Sequence, residues 1–225
     1  MAGRSRLPAA DLARIAAFAA LTAVLGLPGA FNLFGNAVPV TLQSMGPLLA
    51  GAILGAKRGA LSQLLLLALV AAGLPLLAGG RGGLGVFAGP SVGYLIGFVV
   101  SAFVVGLIVE RSGRRPGMHW VLVATVAGAA TTLAIGIPVQ SAVTGVPLTE
   151  TFQLSLAFVP GDAAKAVFAA LVASGAQRAY PDAAPAARRE RVEGRSAGGR
   201  PPGPGDGEAD KRQEIGGDGT GSGRA

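Results

Sequence analysis

From residue 15 to residue 56 no charged side chain interrupts the chain, and two more uncharged runs follow at 59–80 and 82–109. A charged side chain at the centre of a bilayer costs at least ~2.5 kcal/mol, so a chain that must cross lipid excludes charge from its spans. Such long excluded runs, in a sequence only 14% charged and 51% apolar with mean hydropathy +0.54, predict an all-α membrane protein that crosses the bilayer several times. Function is then to be sought within the lipid bilayer or at its two faces.

The charge pattern divides the chain in two. Up to Gln177 there are ten Lys/Arg and four Asp/Glu; beyond it there are nine and eight. The later part, with Arg188-Arg189-Glu190-Arg191 and Pro201-Pro202-Gly203-Pro204-Gly205, offers almost nothing apolar to bury. Residues 1–180 are therefore expected to form the membrane domain and 181–225 a disordered cytoplasmic tail. The basic balance does not point to nucleic acid, because no RNA-binding aromatic motif occurs and the basic residues of the first part flank apolar spans. The absence of cysteine excludes disulfides, thiolate metal sites and cysteine nucleophiles. Arg4, Arg6 and Arg14 before an apolar run imitate a secretory signal, but more spans follow directly where a cleavage site and soluble domain would be needed.

A helical span needs roughly 20 apolar residues, so the first long run must hold two helices. Pro28-Gly29 and the segment Phe31-Asn32-Leu33-Phe34-Gly35-Asn36 supply the break. Six transmembrane helices are expected, near 11–27, 41–56, 59–77, 91–109, 118–144 and 161–178. With both termini cytoplasmic, Arg4, Arg6, Arg14, Lys57, Arg58, Arg111, Arg114 and Arg115 fall inside and only Arg81 and Lys165 outside, which fits the positive-inside rule.

Small residues recur every four positions at Gly89, Gly93 and Gly97, at Gly51 and Gly55, and at Ala16 and Ala20. Each set lines one helix face and permits close helix contact. For the glycines this predicts packing within the chain; the alanines of the first helix could instead face a partner, and Ala19 with Ala23 fit the same spacing.

Two motifs imitate catalytic signatures. Gly89-Pro90-Ser91-Val92-Gly93 matches the G-x-S-x-G of serine hydrolases, which makes an intramembrane hydrolase using Ser91 an alternative. The lone histidine, His119, is expected at the inner end of helix five, roughly 30 Å of hydrocarbon from Ser91, against a hydrogen-bond reach of about 3 Å. His119-Trp120 reads more simply as an interfacial pair. Gly80-Arg81-Gly82-Gly83-Leu84-Gly85 matches G-x-G-x-x-G but follows an apolar helix rather than a strand, so it is expected to be a mobile outer loop. No Walker A sequence occurs, so uphill transport would need a nucleotide hydrolysed by another chain.

The remaining chemistry lies in Asp162 and Lys165, one helical turn apart after Val159-Pro160-Gly161. If Gly161 opens the helix, Asp162 falls in its first turn and Lys165 on the same face, where an amine and free helix N–H groups can hold a carboxylate. A plain alternative is an N-capping Asp paired with a snorkelling Lys. The membrane context favours a substrate site, since ionisable residues in spans mark substrate pathways. Asn32, Asn36, Thr41, Gln43, Arg81, Ser91, Tyr94, Gln140 and Ser141 are expected at the same outer face, where each also has a structural use in turns or interhelical bonds.

Val38-Pro39-Val40-Thr41-Leu42-Gln43, then Leu48-Leu49-Ala50-Gly51, Gly73-Leu74-Pro75, Gly89-Pro90-Ser91-Val92-Gly93-Tyr94-Leu95-Ile96-Gly97-Phe98 and Pro160-Gly161-Asp162-Ala163-Ala164-Lys165 together resemble, in order and spacing, the BioY family. The similarity covers residues 12–177. Its members are biotin-binding S components of energy-coupling factor (ECF) transporters, multi-pass proteins of the bacterial cell membrane. The resemblance implies a six-helix bundle that captures biotin from outside and works with a transmembrane coupling subunit and cytoplasmic ATPases, binding no cofactor or metal itself. It further implies that Asp162 accepts from the ureido N–H groups, that Lys165 pairs with the valerate carboxylate, and that the loop 38–43 covers the ligand. Arg81, Tyr94, Ser91 and Gln43 join the substrate-binding set, and Ala16 with Ala20 the partner-docking face. Ser91 stands where family members often carry Thr. The same architecture for another vitamin is an alternative, although 5% aromatic content gives few platforms for stacking a flat flavin.

Overall fold

The structure, a computed structural model, describes residues 8–31, 35–113 and 116–180. The expected tail 181–225 and Asn32 lie outside the described residues, as do the flanking Arg4, Arg6, Arg114 and Arg115. Seven α-helices are found among the described residues: α1 Ala9–Val24, α2 Met45–Leu54, α3 Ala56–Ala71, α4 Val92–Arg111, α5 Met118–Thr144, α6 Leu148–Ser155 and α7 Phe158–Ala179. A 3-10 turn, Leu84–Ala88, precedes α4. Three helices, α4, α5 and α7, are long and apolar enough to cross a membrane. Their outward faces carry Ile96, Val100, Phe103, Val123, Val126, Phe168 and Leu171 exposed, as expected of a protein whose surroundings are hydrocarbon.

The expected α2 was too long and the expected α3 began too late. Gly55 adopts φ 87°, a conformation that only glycine takes readily, so α2 stops there after ten residues and α3 starts at once. At about 1.5 Å per residue α2 is roughly 15 Å long, about half the depth of the hydrocarbon core on its own; every residue in it except Ile53 is buried, so it packs inside the bundle. Lys57 and Arg58, expected in an inter-helix loop, stand in the first turn of α3. Arg58 reaches Asp11 of α1 at 2.9 Å, and Arg14 reaches the same carboxylate at 3.3 Å. Asp11 thus enters the bundle paired, a buried carboxylate that the reading of the sequence passed over as a flank. The Ala56 N–H at the start of α3 is capped by the Glu110 carboxylate of α4 at 2.8 Å.

Glycines set the closest helix approaches. A Cβ on Gly59 would stand 2.9 Å from the Gly51 backbone, and one on Gly106 would meet the backbone of Gly55 and Ala56. On α4, Gly97 faces Thr132 and Gly93 faces Val139 of α5. The glycine stripe therefore packs within the chain as expected, except that Gly89 precedes the helix. The core joins Leu48 and Ala52 of α2, Val105 and Val109 of α4, and Ala124 of α5 to a small-residue face of α7, Ala166, Ala169, Ala170 and Ala173.

α7 opens at Phe158, three residues before the expected start at Gly161. Proline is tolerated in a first turn, where its missing N–H has no partner to lose, so Pro160 lies inside the helix and Asp162 beyond its first turn. The free N–H groups invoked for anion binding are accordingly not at Asp162. α6 was not anticipated: Gly145 ends α5 in the left-handed conformation and Pro147 starts a short amphipathic helix two residues later.

Candidate ligand-binding site

One end of the bundle gathers the C-termini of α1, α3 and α5 with the N-termini of α2, α4 and α7. All six ligand-binding candidates, Asp162, Lys165, Arg81, Tyr94, Ser91 and Gln43, line a single cavity there of about 60 Å³. Its remaining wall is largely apolar, with Val38, Leu95, Phe98, Leu133 and Phe158 prominent. Phe158 meets the Tyr94 ring edge-on, centroids 6.0 Å apart and planes at 87°.

Lys165 is the hub. Only 8% exposed, its ammonium donates to Asp162 Oδ1 at 2.7 Å, to the Thr41 carbonyl at 2.9 Å and to Ser44 Oγ at 2.9 Å. Three donors meet three acceptors, so the cation is fully satisfied by protein. Asp162 spends one oxygen on this pair, and Oδ2 accepts no hydrogen bond among the described residues.

Gln43 is spent on the scaffold. Its amide nitrogen donates to Thr22 O of α1 at 3.2 Å and to Leu76 O at 2.8 Å, while its oxygen accepts from Ala78 N–H at 3.0 Å. At 3% exposure it fixes residues 41–44 between α1 and the loop after α3. Tyr94 donates to Gln140 at 2.8 Å, and Gln140 donates to Asn36 at 2.8 Å. Asn36 also accepts from Val38 N–H at 3.0 Å, so this relay anchors the other end of the same segment. Gln140 and Asn36, expected at the pocket, stand one step behind it, and Ser141 closes a helix end by donating to Val146 O at 2.7 Å.

The loop carrying Arg81, expected to be mobile, is folded into a hydrogen-bonded turn. Leu77 and Arg81 pair across it, Gly79 and Gly80 supply the positive φ values, and the Arg81 guanidinium donates to Ala78 O and to Ser91 Oγ, both at 3.2 Å. Ser91 follows a 3-10 turn and accepts from a cation, unlike a nucleophile poised after a strand. Val139, which packs against Gly93, lies twenty residues along α5 from His119, roughly 30 Å at 1.5 Å per residue. His119 instead faces Trp120, ring centroids 5.6 Å apart.

Reading the sequence missed Ser44 and Phe158. The signal for Ser44 was its place three residues after Thr41 in the polar segment entering α2. On α1, Ala16 and Ala20 are exposed, whereas Ala19 is buried in a core cluster that includes Leu66 and Phe98, and Ala23 packs against that cluster. The two alanine pairs that spacing left equivalent are thereby separated into an outer and an inner face.

A sequence model described as the BioY family matches residues 2–182. A biotin transporter BioY of Rhizobium etli is 44% identical over 177 residues, covering 76% of this chain and 95% of that protein. A biotin transporter BioY of Rhodobacter capsulatus is 45% identical over 179 residues, 75% of this chain and 94% of that protein. Among solved structures, the S-component for biotin from an ECF-type ABC transporter superposes with a TM-score of 0.72 at 30% identity, covering 75% of this chain and 91% of that one.

Proposed function

The chain belongs to the BioY family, and on that premise we propose that it is the substrate-binding subunit of a biotin transporter, which captures biotin at the outer face of the bacterial cell membrane. It is a transport subunit and not an enzyme. The observation that carries the reading is the Asp162–Lys165 pair turned into a cavity with a largely apolar wall at one end of the bundle. Biotin offers the complementary set: ureido N–H donors for Asp162, a carboxylate for Lys165, and an apolar ring and chain for the Phe98, Leu133 and Phe158 wall. Arg81, Tyr94 and Ser91 complete the polar side of the site.

At about 60 Å³ the cavity holds a few waters and not a vitamin, since ligand pockets of drug-sized molecules run from about 300 to 1,000 Å³. Binding therefore requires the middle of the segment 38–43, between the anchors at Asn36 and Gln43, to withdraw and then cover the ligand. The direct test is chemical: the protein purified in detergent from cells grown with biotin should release biotin on denaturation, identified by mass spectrometry. Release of a different vitamin, or of none, would contradict the assignment.

The orientation that goes with this reading has six crossings with both termini cytoplasmic. It is supported by the split of these basic residues: Arg14, Lys57, Arg58 and Arg111 at one end of the bundle, Arg81 and Lys165 at the other. A single cysteine at Arg81, in a chain without native cysteine, should react with a membrane-impermeant maleimide in intact cells. Labelling at Lys57 in place of Arg81 would invert the topology. A chain without a nucleotide motif needs ATP hydrolysed elsewhere, which fits a transmembrane coupling subunit and its ATPases docking on the Ala16–Ala20 face of α1.

A further inference from the structure

Ser44 occupies the N-cap position of α2, a place that serine usually fills by accepting a hydrogen bond from the helix's own first N–H groups. Here its side chain makes no such cap. The hydroxyl turns into the cavity and accepts from Lys165 Nζ at 2.9 Å. Its own hydrogen has a single protein acceptor among the described residues, Thr41 O at 3.5 Å, well beyond the 2.5–3.0 Å range of a normal O–H···O bond. The site thus holds a hydroxyl whose acceptor side is well used and whose donor side makes only one long contact.

From this arrangement we propose that Ser44 is a ligand-contacting residue, the second donor to the ligand's anionic group beside Lys165. The inference rests on the reading of Lys165 as the partner of the biotin carboxylate. All three protons of the Lys165 ammonium are engaged, so an arriving carboxylate must displace one of their acceptors. Asp162 sits one turn away on the same helix and balances the charge, which leaves the Thr41 carbonyl and the Ser44 hydroxyl. A carbonyl can only accept, and beside a carboxylate it would set two acceptors against each other. A hydroxyl can do either. Rotation of the hydroxyl about its Cβ–Oγ bond turns Ser44 from acceptor to donor, so the Thr41 carbonyl yields its place while Ser44 stays and donates to the second carboxylate oxygen. The Thr41 carbonyl accepts from Lys165 where the ligand's carboxylate would.

The test compares equilibrium binding of biotin with that of an analogue whose side chain ends in a methyl group instead of the carboxylate. The purified full-length protein, Ser44→Ala, Ser44→Thr and Lys165→Ala are measured in parallel. Ser44→Ala should weaken biotin about tenfold, the scale of one charge-assisted hydrogen bond, and leave the methyl analogue unchanged; Ser44→Thr, which keeps the hydroxyl, should retain the preference for biotin. Equal loss for both ligands would make Ser44 structural, and unchanged or tighter biotin binding would make it a displaced acceptor like the Thr41 carbonyl; either overturns the proposal. If Lys165→Ala also fails to separate the two ligands, the underlying reading of the lysine fails. If only the serine variant fails to separate them, the lysine reading stands and this inference falls.

Discussion

Lys165→Ala is expected to weaken biotin by about 1.5–3 kcal/mol, some 10- to 150-fold, while costing the primary amide of biotin much less. The difference follows from charge: an ammonium gains most from a partner that is itself ionised. Removing the amine also leaves the Asp162 carboxylate without its 2.7 Å partner and frees Thr41 O and Ser44, so part of any loss reflects a disturbed site. Comparing the two ligands on one variant cancels that part, because both meet the same damaged pocket. Asp162→Asn keeps the side chain's shape but removes the acceptor charge, and should weaken both ligands alike through their shared ureido ring. Titration calorimetry of the four combinations decides the matter. Equal losses for acid and amide in Lys165→Ala would reduce the lysine to a tie between α7 and the segment 41–44.

The parts of this fold that were legible in the sequence are those where one physical term dominates. α5 runs Met118–Thr144 as expected, because its start and its terminating Gly145 bound a long run free of Asp, Glu, Lys and Arg; α4 agrees to within two residues at the C-terminal end. The Asp162–Lys165 pair was legible because charge is so costly in a span. Terms that depend on tertiary contacts were not. Nothing local marks Gly55 as taking φ 87° rather than extending α2, and only the approach of α4, with Glu110 capping Ala56 and Gly106 packed on the joint, makes a one-residue link workable. Asp11 looked like a flank because its partner Arg58 is 47 residues away. α6 was hidden because its amphipathic eight residues carry no long apolar run.

Within the site the same division holds. Residue type identified Gln43 as a polar group near the pocket, but whether its amide faces the ligand or the backbone depends on where Thr22, Leu76 and Ala78 lie. They take up its amide N–H groups and its carbonyl oxygen, so its contribution to binding runs through the placement of Thr41 and Ser44. The segment 36–44 is consequently held at both ends, by Asn36 on Gln140 and by Gln43 on α1 and the loop after α3, with Lys165 gripping the portion between. A ligand that takes over Lys165 releases the middle of this segment and leaves its anchors in place.

Replacing both Ala16 and Ala20 with Trp should abolish co-purification with the coupling subunit and its ATPases while leaving biotin binding by the isolated subunit intact. Small residues let two helix backbones approach closely, and two indoles on that face would hold a partner helix away. The side chains at 16 and 20 are exposed, pointing away from Thr22, the α1 residue that holds Gln43. The substitution should therefore neither overfill the core nor disturb the site. Ala19→Trp supplies the opposite control: Ala19 is 2% exposed and packed with Leu66 and Phe98, so a large ring there should destabilise the fold by about 1–3 kcal/mol or more, read as a lower melting temperature in detergent. A double variant that binds biotin and melts normally but no longer assembles assigns the face to docking. Normal assembly would move the docking surface to another part of the bundle, and a melting loss matching that of Ala19→Trp would show that the two alanines are packed against the chain itself.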